Sequence, residues 1–211
     1  MACRLGGDIQ ARHDWIKDTL SAIISSSGVS TQLEVPVTNC GPISSAADEV
    51  IRRYGITASG DLRPLAVDVS VTHSTPLSQS TLMTNVRSSG SAARNREAKK
   101  VRDYGNVSRR LGMHFVPFVM ESYGTFGPQA ELFLKTLARH ITSSRCYSGN
   151  ANPSVSAALL HSWRRRLSCA MQKANARILQ LRALRGTEAH GRQPRVLRPD
   201  FSGLQMPRLR Y

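Results

Sequence analysis

One carboxylate in an otherwise apolar strand, and one lysine in the basic helix that follows it, are the residues best suited to chemistry. Residues 65–73 read LAVDVSVTH. Because side chains alternate along a strand, Asp68 is predicted on the face opposite Leu65, Val67 and Val69. Aspartate is depleted in strands and is rarely buried without a partner. Two interpretations follow: Asp68 caps a turn or pairs with an arginine, or it belongs to a working site.

The helix predicted over residues 94–104 supplies groups for such a site. Glu97, Lys100 and Tyr104 are three and four residues apart, so they share one helical face. Three basic residues are predicted to point elsewhere: Arg96, Lys99 and Arg102. Taken alone, this pattern is typical of a solvated basic helix. Taken with Asp68, it offers a carboxylate for a metal ion and an ammonium group to orient a water molecule.

The order of these residues resembles the PD-(D/E)xK nuclease superfamily. More narrowly, it is similar to the R2-like endonuclease of site-specific non-LTR retrotransposon polyproteins. In most of the superfamily the lysine comes two residues after the strand acid, at the position of Ser70 here, whereas the R2-like branch carries it on the next helix, as Lys100 and Tyr104 do. The first acid of the resemblance is Asp48, in the run AADEV, where Ala47 replaces the usual proline.

The flanking segments extend this resemblance over roughly residues 3–142. They are CRLGG from Cys3, ARHD from Ala11 and FVPFVMESYG from Phe115. The resemblance implies an α/β fold with a restriction-endonuclease-like core, a small mixed β-sheet of about four strands flanked by helices, and a C-terminal helical extension. The predicted divisions are an endonuclease-like domain over 1–142, a basic helical extension over 143–185 and a disordered basic tail over 186–211.

The resemblance further implies a metal-dependent DNA endonuclease that nicks its target. Asp48 and Asp68 would bind Mg²⁺ or Mn²⁺, since hard cations prefer oxygen ligands, and a backbone carbonyl near Val69 would complete the protein's share. Lys100 would orient or deprotonate the attacking water. Glu97 would assist at the metal or hold Lys100 in place.

Positive charge indicates a polyanionic partner. The formal net charge is +15 over 211 residues, and twelve Lys and Arg against two acids lie from residue 161 onward. Such blocks are typical of nucleic-acid binding. The resemblance implies DNA and retroelement RNA as the partners, with a reverse transcriptase module supplied by the parent polyprotein. The residues predicted to contact nucleic acid are Arg96, Lys99, Tyr104, Arg164, Arg165 and Arg166.

Two other function classes stay open at this point. A catalytically inactive nucleic-acid-binding relic of the same fold would keep the charge and lose the cleavage. A ribosomal or structural RNA-binding protein would explain the charge but would leave Asp68 unexplained. Cleavage that depends on a divalent metal separates the endonuclease from both.

Cysteine usage and hydropathy indicate the cellular compartment. Four cysteines are scattered without a C-x-x-C pair, which is neither a disulfide framework nor a complete zinc site. Cys3 and His13 remain candidates for a zinc site whose other ligands lie upstream, beside the simpler interpretation of reduced thiols and a packing histidine. There is no apolar run of the length that a membrane span needs, so a nuclear or cytoplasmic protein is predicted and secretion is not.

Hydrophobic periodicity predicts the remaining elements. Helices are predicted over 7–26, 128–141 and 154–185, and strands over 29–37 and 113–122. For residues 45–52 the resemblance implies a strand, whereas the sequence alone also allows a short helical turn. Pro117 predicts an edge position or a bulge for the last of these strands. Residues 72–91 are rich in Ser and Thr without periodicity and are predicted to form a flexible loop.

Overall fold

The computed structural model describes residues 6–29, 31–36, 46–51, 63–75, 79–145 and 153–189. These residues form an α/β fold, as predicted. The elements in chain order are α1 (Gly6–Ser26), β1 (Thr31–Pro36), β2 (Ala46–Ile51), β3 (Leu65–Thr72), α2 (Gln79–Arg87), α3 (Ser91–Arg110), β4 (His114–Glu121), α4 (Pro128–Arg145) and α5 (Pro153–Ala189).

The strands form a sheet in the order β1-β2-β3-β4. The first three strands pair antiparallel, and β3 pairs parallel with β4. A parallel pair needs a crossover connection, and α2 and α3 provide it. The edge position of β4 confirms the interpretation of Pro117, since an edge strand tolerates a residue without a backbone donor.

The odd-numbered side chains of β3 face the main hydrophobic core. Leu65, Val67 and Val69 are buried there with Phe118 and Met120 of β4. The core is completed by apolar side chains from three helices: Ile16, Leu20, Ile23 and Ile24 of α1, Phe133, Leu134 and Leu137 of α4, and Trp163, Leu167 and Met171 of α5. The long helix α5 therefore packs into the same core as α1 and α4.

The opposite face of the sheet is covered by α3. Ala66 is fully buried there, packed against Val107, Met113 and Phe115. Small residues open the helix, and Ala93 is fully buried, so the helix backbone can approach the sheet closely. This second, thinner layer carries the even-numbered side chains of β3, Asp68 among them.

The segment predicted as a loop over residues 72–91 contains a helix, α2 (Gln79–Arg87). That prediction was wrong because side-chain hydrogen bonds, not an apolar stripe, tie this helix to its surroundings. Nδ2 of Asn85 donates to the carbonyl oxygen of Ser74 at 2.8 Å, and the hydroxyl of Ser91 donates to Oδ1 of Asn85 at 2.7 Å. Such bonds leave no trace in hydrophobic periodicity.

Three of the four cysteines (Cys3, Cys40 and Cys146) and the tail beyond Ala189 lie outside the described residues. Cys169 is a free, exposed thiol on α5. In the part of the chain that the structure describes, no helix combines the length and the apolar character needed to cross a membrane.

Candidate active site between β3 and α3

Asp68 and Lys100 form a close ion pair between the sheet and α3. Nζ of Lys100 lies 2.6 Å from Oδ2 of Asp68, and the two side chains are 14% and 13% exposed for Asp68 and Lys100 respectively. An ion pair at this separation is stronger between largely buried groups than at the surface, because the surroundings screen it less. The residual exposure leaves one side of the pair open to solvent.

The ion pair is one of two side-chain contacts that α3 and β3 make at matching intervals along their lengths. Arg96, four residues before Lys100, donates from Nε to the hydroxyl of Ser70 at 3.1 Å, and Ser70 is two residues after Asp68. Four helical residues rise about 6 Å and two strand residues about 6.6 Å. The two spacings agree, so α3 runs antiparallel to β3 with its side chains in step.

Tyr104 continues the same row along α3. Its ring lies 6.0 Å from that of Phe115 between centroids, and Nζ of Lys100 lies 5.5 Å from the Tyr104 ring centroid. The tyrosine is half-buried and supports the lysine from one side, as an aromatic ring near a cation does. The row facing the sheet is therefore Arg96, Lys100 and Tyr104, and the prediction that Arg96 points elsewhere was wrong.

The pairing of β2 with β3 reaches to within one residue of both Asp48 and Asp68. Strands β2 and β3 are antiparallel neighbours, with Glu49 paired to Val67 and Val50 to Ala66. If the same register continued for one more residue, Asp48 would lie opposite Asp68. The side chain of Asp48 lies outside the described part of the structure.

The carbonyl oxygen of Val69 is engaged by a histidine of α1. It lies 3.1 Å from Nε2 of His13, and because a carbonyl can only accept, the imidazole N–H is the donor. His13 is thus a packing residue that ties α1 to β3. Cys3, its suggested partner in a zinc site, lies outside the described residues.

Glu97 faces α4 instead of the Asp68–Lys100 pair. Its Oε1 accepts hydrogen bonds from the backbone amides of Gln129 at 3.0 Å and Ala130 at 3.3 Å. These are among the first amides of α4, which have no partner within their own helix. Gly127 makes room, because a methyl group there would overlap the Glu97 carboxylate. The structure gives this side chain a capping role.

Glu121 caps the start of α3 in the same way. The helix begins after Gly90 without a side-chain cap of its own, and Oε1 of Glu121, at the end of β4, accepts a hydrogen bond from the backbone amide of Ala93 at 3.1 Å. Sequence reasoning missed both caps, because each carboxylate is remote in sequence from the helix that it caps.

We expect Glu97→Ala to lower the free energy of unfolding by about 1–2 kcal/mol, the usual cost of losing a capping side chain. Glu97→Gln keeps an oxygen acceptor at the same place, so its loss should be smaller. Urea denaturation at neutral pH measures both. Equal losses in the two variants would contradict a capping role.

Burial raises the pKa of Glu97, and the amides of Gln129 and Ala130 partly oppose that rise. Since the pKa is higher in the folded chain, the folded state binds more protons between the ordinary and the raised value. Stability contributed by Glu97 is then lost as pH rises through this window. Glu97→Gln should remove that component, and an unchanged pH profile of stability in the variant would contradict the assignment.

The predicted nucleic-acid contacts occupy different environments. Lys99 is exposed on α3, and Arg165 and Arg166 are exposed on α5. Arg164 instead pairs with Glu131 of α4: its Nε donates to Oε1 at 3.0 Å and its Nη2 donates to Oε2. Arg164 therefore joins α4 to α5, whereas its two neighbours are available at the surface.

The described side chains contain no group of three or more His, Cys, Asp or Glu that could hold a metal ion. Asp48 is not among those side chains, so a two-carboxylate arrangement falls outside this statement. Sequence reasoning missed Arg96 as a member of the α3 row that faces β3, although its four-residue spacing to Lys100 and then Tyr104 was the signal for it.

No protein-family model matches the chain, and no curated protein matches it either.

Proposed function

We propose that this chain is a metal-dependent DNA endonuclease with a restriction-endonuclease-like core, of retroelement origin, that nicks DNA by hydrolysing phosphodiester bonds. One observation carries the proposal: a lysine from the helix after the central strand reaches the only carboxylate of that strand, Lys100 to Asp68 at 2.6 Å. An ammonium group held on a carboxylate, with one side open to solvent, is poised for a phosphate or a water.

Two carboxylates suit the metal that this chemistry needs. Mg²⁺ keeps several of its waters and is held in many phosphoryl-transfer sites by one or two carboxylates together with substrate phosphates. Directly opposite residues of an antiparallel pair share a face, so the register supports Asp48 and Asp68 as that set. The Val69 carbonyl oxygen, which accepts a hydrogen bond from His13, is not needed for this set. A bound ion would supply Lewis-acid stabilisation of the scissile phosphate.

Lys100 has the donors to act on a water or a phosphate oxygen. An ammonium group carries three N–H donors, and Asp68 is within hydrogen-bond distance of one of them. Tyr104 and the packed surface of α3 limit where the lysine can move. Lys100 would hold the attacking water and stabilise the charge that develops on the phosphate.

The most direct test is cleavage of a supercoiled plasmid by the full chain in Mg²⁺ or Mn²⁺. The expected result is open-circular DNA that EDTA suppresses. Nicking that persists in EDTA, or intact plasmid over a wide range of protein and metal concentrations, would overturn the proposal.

An inactive nucleic-acid-binding protein of the same fold is the second candidate. It is favoured by the same ion pair: Lys100 already neutralises Asp68 without a metal, so the pair is also a sufficient structural link between α3 and β3. This candidate predicts DNA or RNA binding without metal-dependent nicking.

The exposed arginines of α5 give a prediction for either candidate. We expect the double variant Arg165→Gln/Arg166→Gln to weaken duplex DNA binding and to reduce the slope of log affinity against log salt by about 2, since each phosphate contact contributes about 0.9. Fluorescence anisotropy at several salt concentrations measures this slope.

Two controls sharpen that measurement. The double variant Lys135→Gln/Arg139→Gln removes the same charge from exposed positions of α4 and should change the slope less. Arg164→Gln breaks the ion pair with Glu131 and should lower the unfolding temperature more than the DNA affinity. Equal slopes in the two double variants would show that Arg165 and Arg166 do not contact DNA.

A further inference from the structure

A second cluster of positive charge lies away from the Asp68–Lys100 pair, where the ends of β3 and β4 meet α1 and α5. It surrounds a cleft of about 270 Å³. The polar groups of the cleft are Arg12, His73, Ser122, Gln172, Asn175 and Arg182, with Tyr123 at its side.

Arg12 is buried, and no carboxylate of the described residues pairs with it. The residue is 5% exposed, yet the ion pairs of the described residues do not include it. Its Nη1 donates to Oδ1 of Asn175 at 3.2 Å, and its Nη2 contacts Nε2 of His73 at 3.4 Å. Its Nε is a buried donor with no acceptor among the described residues. Buried guanidinium groups are normally paired, so this one calls for an anion.

The neighbours of Arg12 add donors and positive charge. Oγ of Ser122 is also buried and has no hydrogen-bond partner among the described residues. Burial and the charges of Arg12 and Arg182 lower the pKa of His73. Arginine can only donate, so Nε2 of His73 accepts from Arg12 and the ring is neutral in this arrangement. The guanidinium groups of Arg12 and Arg182 repel each other, and a shared negative ligand would stabilise both.

We propose that this cleft binds a phosphate group through the guanidinium groups of Arg12 and Arg182 and the hydroxyl of Ser122. The planar fork of arginine matches phosphate oxygens with two parallel hydrogen bonds. The cleft is separate from the Asp68–Lys100 pair, and the proposal stands whether or not the chain cleaves DNA. The phosphate can be a free anion or part of a nucleotide, and Tyr123, which is 67% exposed, is placed to stack on a base in the second case.

The test is an NMR titration of the full chain with inorganic phosphate against chloride at equal ionic strength, following the imidazole resonances of His73, assigned with His73→Gln. A saturable shift with phosphate and none with chloride is expected. Arg182→Gln should weaken binding by about tenfold, since a charged hydrogen bond is lost from an exposed position. Arg182 is exposed, so this variant should fold.

Arg177→Gln is the matched control, because Arg177 is exposed on the same helix and does not line the cleft. It should bind phosphate like the wild type. No saturable shift, or equal weakening in the two variants, would overturn the proposal and leave water as the occupant.

A nucleoside monophosphate and a single-stranded oligonucleotide identify the source of the phosphate. Tighter binding of either than of inorganic phosphate, lost in Tyr123→Ala down to the level of inorganic phosphate, assigns the site to a nucleotide. Equal affinity for all three ligands assigns it to the free anion.

Discussion

Asp68→Asn is expected to lower the rate of Mg²⁺-dependent plasmid nicking by about a thousandfold. The substitution keeps the shape of the side chain and removes the charge that a divalent ion requires. It also weakens the link to Lys100, which lies 2.6 Å away. Nicking rates at saturating metal measure the effect, and DNA binding without metal should change little.

Lys100→Met tests the other half of the pair and should reduce nicking by a similar factor. The two variants differ in metal binding: Asp68→Asn should lose affinity for Mn²⁺, whereas Lys100→Met should keep it, because the carboxylate is no longer neutralised. Isothermal titration calorimetry with Mn²⁺ separates them. A purely structural ion pair would give no such difference.

Controls for this pair are present in the chain. Asp103→Asn changes an exposed acid of α3 and Lys135→Met an exposed lysine of α4, and both should nick DNA at the wild-type rate. Wild-type rates in Asp68→Asn and Lys100→Met as well would place the chemistry elsewhere.

Phe118→Ala is expected to lower the free energy of unfolding by about 3–5 kcal/mol. Phe118 is fully buried, and its ring meets those of Phe126 and Phe133 edge to face, with centroids 6.3 and 6.1 Å apart. The truncation removes apolar contacts and leaves a cavity between β4 and α4. Urea denaturation followed by circular dichroism measures the change.

Tyr123→Ala is the matched aromatic truncation, because that ring is 67% exposed. We expect a change of at most about 0.5 kcal/mol, as for most surface substitutions. A loss in Phe118→Ala as small as this would mean that β4 and α4 are not packed as described.

The elements that carry the candidate site could be predicted because their signals are local. The strand predicted over 65–73 is β3 (Leu65–Thr72), and the basic helix predicted over 94–104 lies inside α3 (Ser91–Arg110). Alternation and charge are read from neighbouring residues, so no tertiary contact was needed. The pairing of β2 with β3 has no such local signal, because it joins residues of separate strands.

The details that could not be predicted depend on partners that are remote in sequence. Glu97 caps α4 more than thirty residues later, and Arg164 pairs with Glu131 of another helix. A helical wheel places Glu97 on the same face as Lys100, and the sequence groups Arg164 with Arg165 and Arg166 in one basic run. The cap provided by Glu97 and the ion pair of Arg164 both depend on how α4 packs against α3 and α5, which the local sequence does not show.

The two capping carboxylates limit how far α3 can move along the sheet. Glu121 anchors the start of the helix to the end of β4, and Glu97 anchors its middle to the start of α4. Sliding the helix by one residue would break both anchors and would swing every side chain by about 100°. The ammonium group of Lys100 is therefore held at its position by two acids that do not contact it. Weakening either capping contact should make the position of that group less well defined before the chain unfolds.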